Sequence, residues 1–304
     1  MTFTGNGDTR ISFVSASGGV TVNLVGTATG NSSVGSDTFS GVSGVIGSNF
    51  NDTITGDGND NVIEGLSGID TLDGGGGNDT VSYQRAPGSP GNVGVTVDLS
   101  ISGVQQNTAQ AGLDTLSNFE NVRGSSFNDT LTGNGSSLLE GGPGADHIIA
   151  FGSSDVTSYE HAASGVTVNL ANTALNTGEA LGDTFTSINN VRGSNFADQI
   201  TGNSNANILD GGGGNGGDQL TGLGGADTFV FRSGYLTITD FNQGEGDLID
   251  IQSLNGGTPI TDAELNALIA ASTGDQLDLG NGNVIEVTGL DVHTQLSAAG
   301  FIHS

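Results

Sequence analysis

Between Gly47 and Ser82 the chain counts in nines: GSNFNDTIT, GDGNDNVIE, GLSGIDTLD and GGGGNDTVS, with no gap between them. Ile54, Ile63, Leu72 and Val81 each take the eighth place of their unit. The last unit, Gly74 to Ser82, fits the nonapeptide G-G-x-G-x-D-x-U-x at every specified position, with Asp79 sixth and Val81 eighth. A flexible glycine-rich linker has no reason to hold an apolar residue in phase over four units. The phase therefore demands a structure that repeats every nine residues and buries one side chain per repeat.

Each position of the unit has a physical reason. Glycine lets the backbone take positive φ and bring its carbonyls inward where a Cβ would obstruct. The aspartate sets a carboxylate beside those carbonyls, and an all-oxygen set suits a hard cation such as calcium. Two units make one coil, and coils stack at about the 4.8 Å inter-strand spacing. Carboxylates that close repel, so a cation between the turns becomes close to a requirement.

This run resembles the RTX (repeats-in-toxin) calcium-binding family. The resemblance implies an all-β parallel β-roll or β-helix solenoid with several calcium ions held at the turns. The ligands it implies in the first block are Asp52, Asp60, Asn61, Asp70, Gly74, Gly76 and Asp79. In the second block they are Asp129, Gly141, Asp146 and Asp155, and in the third Asn207, Asp198, Asp218 and Asp227. Turns one coil apart are expected to pair, as Asp52 with Asp70 and Asn61 with Asp79. Asp198 and Asp218 would pair likewise but for an insertion read at Gly211 and Gly212, ahead of a unit at 213–221.

A longer repeat overlies the nines. GVTVNL, GVTVDL and GVTVNL begin at Gly19, Gly94 and Gly165, close to multiples of four coils of eighteen. An aromatic precedes each strand: Phe13, Tyr83 and Tyr159. A variable polar loop follows, then SDTFSGVSGVIGSNFND, LDTLSNFENVRGSSFND and GDTFTSINNVRGSNFAD. These stretches are expected to form coils that hold no calcium. The opening unit of every block places Phe50, Phe127 or Phe196 where the loop wants glycine. Asp52, Asp129 and Asp198 are thus expected to line incomplete sites, with each Phe a plug over the coil beneath.

Composition narrows the partners. The 304 residues include 54 Gly, no Cys and 33 acids against five basic residues, all arginine, for a formal charge of −28. Nucleic acid and anionic membranes are bound through Lys and Arg, so neither is an expected partner, and membrane insertion is not expected. A chain so charged is expected to need cations to fold. The absence of Cys excludes a disulfide framework and a thiolate zinc site. MTFTGNGDTR lacks the basic and apolar regions of a cleaved signal peptide.

After Val230 the composition changes. Thr261 to Glu264 reads as a capping box, with Leu265, Leu268 and Ile269 at helical spacing and Gly274 placed as the stop. QLDLGNGNVIEV reads as a hairpin around Gly280–Asn283. Residues 229–304 resemble the uncleaved C-terminal targeting region of type I secretion substrates. The expected division is therefore a roll over 1–228 and a cap with secretion signal over 229–304.

Other chemistry is weighed and set aside. Ser158, Tyr159, Glu160 and His161 invite a hydrolase reading, but Phe13 and Tyr83 hold the equivalent place without His or Glu. The glycine runs lack the Lys of a phosphate loop. The Thr-x-Thr triplets at Thr53/Thr55 and Thr130/Thr132 read as isolated, one per module, which disfavours ice binding. The expected protein is a non-enzymatic, extracellular or cell-surface calcium-binding protein. It is exported by a type I secretion apparatus and self-associates, with Thr2-Phe3-Thr4 as an open strand edge at the contact. The alternative is the carrier and targeting part of a larger secreted enzyme of epimerase, protease or lipase type.

Overall fold

The computed structural model describes the backbone of residues 2–303 apart from 89, 110, 215 and 255–259, and the side chains from residue 9 onward. Two compact units divide the chain, 1–155 and 156–304. Each is a parallel β-roll of mostly three-residue strands joined by tight turns along two edges.

In the first unit one ladder runs through Thr21–Asn23, Thr53–Thr55, Thr71–Asp73 and Leu113–Ser117, all parallel. The facing ladder runs through Ser36–Ile46, Val62–Glu64, Thr80–Ser82, Asn121–Arg123 and Leu138–Glu140. Alternation along a strand sends the central residue inward. Val22, Ile54, Leu72 and Leu116 thus meet Val45, Ile63, Val81, Val122 and Leu139 in the core, every one of them buried. Burying such a side chain is worth roughly 1.5–3 kcal/mol. One apolar residue per nine is therefore a thin core, and polar bonding at the turns has to supply the rest.

The module stretches break the simple count. Gln105–Asn107 runs antiparallel to Leu113–Ser117 and returns the chain to the coil it had left. Leu116 consequently stacks on Leu72, 44 residues away in sequence. The GVTVDL strand Val93–Asp98 meanwhile opens a fresh ladder with Asn128–Thr132 and His147–Ile149. Thr27–Thr29 makes the same kind of return in the first module, antiparallel to Thr21–Asn23 and to Ser36–Ile46. The strand Thr2–Ser12 lies parallel to Ser36–Ile46, pairing Thr2 with Thr38.

The second unit repeats the plan. Thr167–Asn169, Gln199–Thr201, Gly217–Thr221, Tyr235–Ile238 and Asn283–Val287 form one parallel ladder. Val156–Ser158, Asn190–Arg192, Ile208–Asp210, Thr228–Val230, Leu248–Asp250 and Phe301–Ile302 form the other. The compact units thus divide after Asp155, not after residue 228. The reason is that residues 229–304 continue both ladders, and one core runs from Tyr159 to Phe301.

The expected hairpin is present, Gln276–Gly280 against Asn283–Val287, turning on Asn281 and Gly282, both at positive φ. So is the capping box of the helix Asp262–Ala271. Its C-cap is Ser272, and Gly274 at φ +70° belongs to the connection beyond it rather than to the helix stop. No helix among the described residues is long and apolar enough to cross a membrane.

Two other expectations gain detail. The triplet Thr53/Thr55 has no Thr-x-Thr neighbour, since Thr55 lies between Asn23 and Asp73, although Thr21, Thr53, Thr71 and Thr115 form a single column on four adjacent strands. The SYEH cluster resolves into structural contacts: the buried Tyr159 hydroxyl donates to Asp183 Oδ2 at 2.7 Å, and Glu160 pairs with Arg192 at 2.8 Å. Tyr83 makes the matching bond to Asp114 Oδ2 at 3.2 Å, so the tyrosine ties down the return of the chain in the second and third modules.

Candidate metal centre

In most units the sixth residue links one coil to the next. Its backbone N–H donates to the carboxylate at the corresponding place in the following coil. On one edge Asp52 donates to Asp70 Oδ1 at 2.8 Å, and Asp70 to Asp114 Oδ1 at 3.0 Å. On the other, Asn61 donates to Asp79 Oδ1 at 2.7 Å, and Asp79 to Glu120 Oε2 at 2.7 Å. The second unit repeats this with Asp198 to Asp218, Asn207 to Asp227 and Asp227 to Asp247. Each carboxylate thereby spends one oxygen on the fold. What happens to the other oxygen divides the turns into two kinds.

The first kind closes on itself. In Gly47–Asp52 the N–H of Ser48 donates to Asp52 Oδ2 at 2.6 Å and its hydroxyl to Oδ1 at 2.7 Å. Val20 N–H adds a bond to Oδ1 at 2.8 Å. Ser125 does the same for Asp129, and Ser194 for Asp198. Asp57 and Asn203 donate likewise to Asn61 and Asn207, and Phe151 and Gly152 to Asp155. None of these turns takes positive φ at its second residue, which is polar in all of them except Phe151.

The second kind stays open. Leu66 and Gly68, Gly75 and Gly77, Gly212 and Gly214, and Leu223 and Gly225 all take positive φ. That backbone turns the second N–H away from the turn's own aspartate. Asp70 and Asp79 are fully buried, and the Oδ2 of each has no hydrogen-bond partner. A buried anionic oxygen without a donor is costly unless a cation meets it. Glycine is required at the first place of both kinds of turn, since a Cβ on Gly74 would stand 2.7 Å from Asp79 Oδ2 and overlap the carbonyl oxygen of Asn118, as one on Gly47 would overlap Asp52 Oδ2. Gly141 likewise leaves room for Asp146, whose Oδ1 accepts the Asp129 N–H at 2.8 Å. Carboxylate and carbonyl oxygens gathered in this way fit calcium.

Electrostatics agree with geometry. Burial raises Asp70 to about 8, with Asp114 and Asp52 adding repulsion. It raises Asp218 to about 7, where Asp198 and Asp210 are near, and Asp79 and Asp227 to about 6. Asp52, Asp129 and Asp198 are also pushed up by burial, but the serine and backbone donors pull them back.

The sequence candidates thus separate. Asp70, Gly74, Asp79, Gly141, Asp146, Asp218 and Asp227 lie in open turns. Asp52, Asn61, Asp129, Asp155, Asp198 and Asn207 lie in closed ones, and all of these but Asp155 are seen to pass their backbone N–H to the next coil. Asp60 is exposed on the outer side, where it accepts the Asn78 N–H at 2.8 Å, and Gly76 N–H is bonded to the Asp57 carbonyl. The reading of Phe50, Phe127 and Phe196 as plugs is corrected: Phe50 and Phe196 are each 46% exposed. The serine two residues earlier does the closing; the rings of Phe50 and Phe196 are left outside, and that of Phe127 is half-buried against Gly88. The insertion in the third block also moves. Gly211 abuts Asp218 and Gly212 takes the positive φ of a second position, so the extra residues fall between Gly214 and Asp218.

Sequence reasoning missed Asp114, Glu120 and Asp247, which complete the ladders. The first two come from module stretches, 44 and 41 residues from their partners. For Asp114 the signal was Gly112-Leu113-Asp114-Thr115-Leu116, which repeats Gly68-Ile69-Asp70-Thr71-Leu72, while Glu120 falls outside any such pattern. Asp247 follows Asp227 by 20, the spacing already present between Asp198 and Asp218. That recurrence was the available signal.

Parallel β-coils with glycine turns, aspartate ladders and orphaned buried carboxylate oxygens define a calcium-binding β-roll. The family model of the RTX calcium-binding nonapeptide repeat, four copies long, matches residues 46–82, 114–137, 132–158, 183–217 and 213–235. The chain carries RTX repeats, and calcium is the ion such repeats bind. No curated protein matches the chain. Among solved structures, the extracellular lipase LipA from Serratia marcescens is similar at 16% identity, with a TM-score of 0.23, over 86% of this chain and 40% of the lipase chain. The chain thus spans about two fifths of that lipase's length.

Proposed function

We propose that this protein is a non-enzymatic extracellular scaffold whose fold is completed by calcium at its open turns. The observation that carries this reading is the pair of buried, donorless oxygens, Asp70 Oδ2 and Asp79 Oδ2, beside turns shaped by positive-φ residues. Asp146, Asp218 and Asp227 hold ions at the corresponding places. The closed turns serve as spacers that satisfy their own carboxylates and orient the next coil. With a net charge of −28, the calcium-free chain repels itself, and bound cations relieve that repulsion as they fill the turns. Millimolar extracellular calcium suits sites of the weak class, roughly 10⁻⁴–10⁻³ M.

Self-association and passage through a type I secretion apparatus are the finer parts of this proposal, supported by the sequence pattern. The test of the core reading is a calcium titration of the full chain, followed by circular dichroism and isothermal calorimetry. Calcium should raise the β signal steeply and cooperatively, with several ions bound. A chelated protein with full β signal and no heat on adding calcium overturns it.

A further inference from the structure

We propose that Glu120 is the second carboxylate of a calcium site whose first is Asp79, built half from a nonapeptide turn and half from a module turn that lacks the nonapeptide's glycine loop. The proposal rests on the reading of open turns as calcium sites and extends it to a stretch expected to hold no ion.

The turn Gly74–Asp79 carries four consecutive glycines, and its ladder neighbour in the next coil is not another nonapeptide. That neighbour is Asn118-Phe119-Glu120, joining Leu113–Ser117 to Asn121–Arg123. Three residues here do the work of six. Asn118 takes φ +54° to make so tight a turn, and its side chain donates to Asp73 Oδ1 at 2.8 Å. The backbone docks fully: Gly74 N–H donates to the Ser117 carbonyl, and Asn121 N–H to the Asp79 carbonyl. Glu120 then takes the place the next aspartate would hold, and Oε2 accepts the Asp79 N–H at 2.7 Å. The shorter turn sets its backbone further back, and the extra methylene of glutamate makes up the distance.

Two anionic groups meet at one turn. Asp79 Oδ2 is buried without a partner, the carbonyl oxygen of Asn118 packs close to Gly74 beside it, and Glu120 is held against the Asp79 N–H. The ion pairs of Arg85, Arg123, Arg192 and Arg232 go elsewhere, to Glu64, Glu140, Glu160 and Asp210. A divalent cation taking carboxylate and carbonyl oxygens answers this arrangement.

The three module copies supply an internal control. The places equivalent to Asn118 are Gly41 and Ser187, both at positive φ, so the same tight turn recurs. The places equivalent to Glu120 are Ser43 and Asn189, neither of them charged. The fold therefore does not need a carboxylate there. It appears in the copy that stacks on Gly74–Asp79.

The test is calcium calorimetry on the full chain, comparing the parent with Glu120→Gln and Glu120→Asn, and with Asp227→Asn as reference. Asparagine is what the fold already accommodates at the third copy, so this variant guards against a simple folding failure, which dichroism at saturating calcium checks. Both Glu120 variants should lose one bound ion, or weaken one site at least about 10-fold, while the folded spectrum at saturating calcium is kept. Asp227→Asn should lose a different ion, so a double variant with Glu120→Asn loses both. Unchanged number and affinities in the Glu120 variants, with Asp227→Asn still losing its ion, overturn the role of Glu120 and leave the open-turn reading standing. A parent that binds no calcium removes both.

Discussion

The turns Gly47–Asp52 and Gly74–Asp79 lie in the same roll, obey the same nine-residue count and end on the same residue, yet they solve opposite problems. In the first, Ser48 supplies an N–H and a hydroxyl to Asp52, and the carboxylate is satisfied by the protein alone. In the second, Gly75 and Gly77 at φ +94° and +126° remove those donors and leave Asp79 Oδ2 bare in a buried place. The closed turn stabilises the coil unconditionally. The open turn stabilises it only when an ion is supplied, which makes the fold conditional on calcium. A single position, the second of the unit, decides between them.

The largest effect separating the two kinds of turn should come from removing their aspartates. Asp79→Ala is expected to abolish one calcium site and shift the calcium midpoint of folding upward by about 10-fold or more. Asp52→Ala is expected to keep the number of bound ions and instead lower stability at saturating calcium by roughly 3 kcal/mol, for the loss of three hydrogen bonds to a charged group. Calorimetry and chemical denaturation read the two outcomes separately. Equal loss of ions in both variants would erase the distinction.

The next effect is in pH. Asp70, Asp218, Asp79 and Asp227 have folded values of about 8, 7, 6 and 6, all above the ordinary 3.8 because burial disfavours the charged form. The calcium-free fold therefore holds more protons than the unfolded chain between about pH 4 and those values. Its stability is greatest at the acid end of that window and is lost as pH rises through about 6 to 8. Calcium affinity should move the other way, rising across the same interval as protons leave the ligands. Thermal melts of chelated protein at pH 4, 6 and 8, beside calcium titrations at the same pH, test both signs.

The smallest effect sharpens the role of the second position. Ser48→Ala removes the hydroxyl that donates to Asp52 Oδ1 and accepts from Phe50 N–H. It should cost roughly 2 kcal/mol by denaturation with calcium stoichiometry unchanged. Gly75→Ala makes an equally small chemical change in the open turn, but there the new Cβ meets the Asp57 carbonyl at a strained φ. That variant should lose an ion as well as stability.

The phase of nine, read from the sequence, determined the parallel coils, the inward apolar position and the kind of ion. Those follow from local chemistry: which residues tolerate positive φ, which side chain alternation sends inward, and which oxygens a hard cation accepts. Ile54, Ile63, Leu72 and Val81 are all fully buried as their place in the unit requires. The Ser at the second position of GSNF was likewise legible, although the plug assigned to Phe50 obscured it. Only the tertiary structure decided which carboxylates meet. Asp114 reaches Asp70, and Glu120 reaches Asp79, because the return through Gln105–Asn107 and Leu113–Ser117 lays a distant stretch on the open coil. The length of such an excursion leaves no trace in a local period, and a backbone N–H accepts whichever anion the stacking of coils brings within reach.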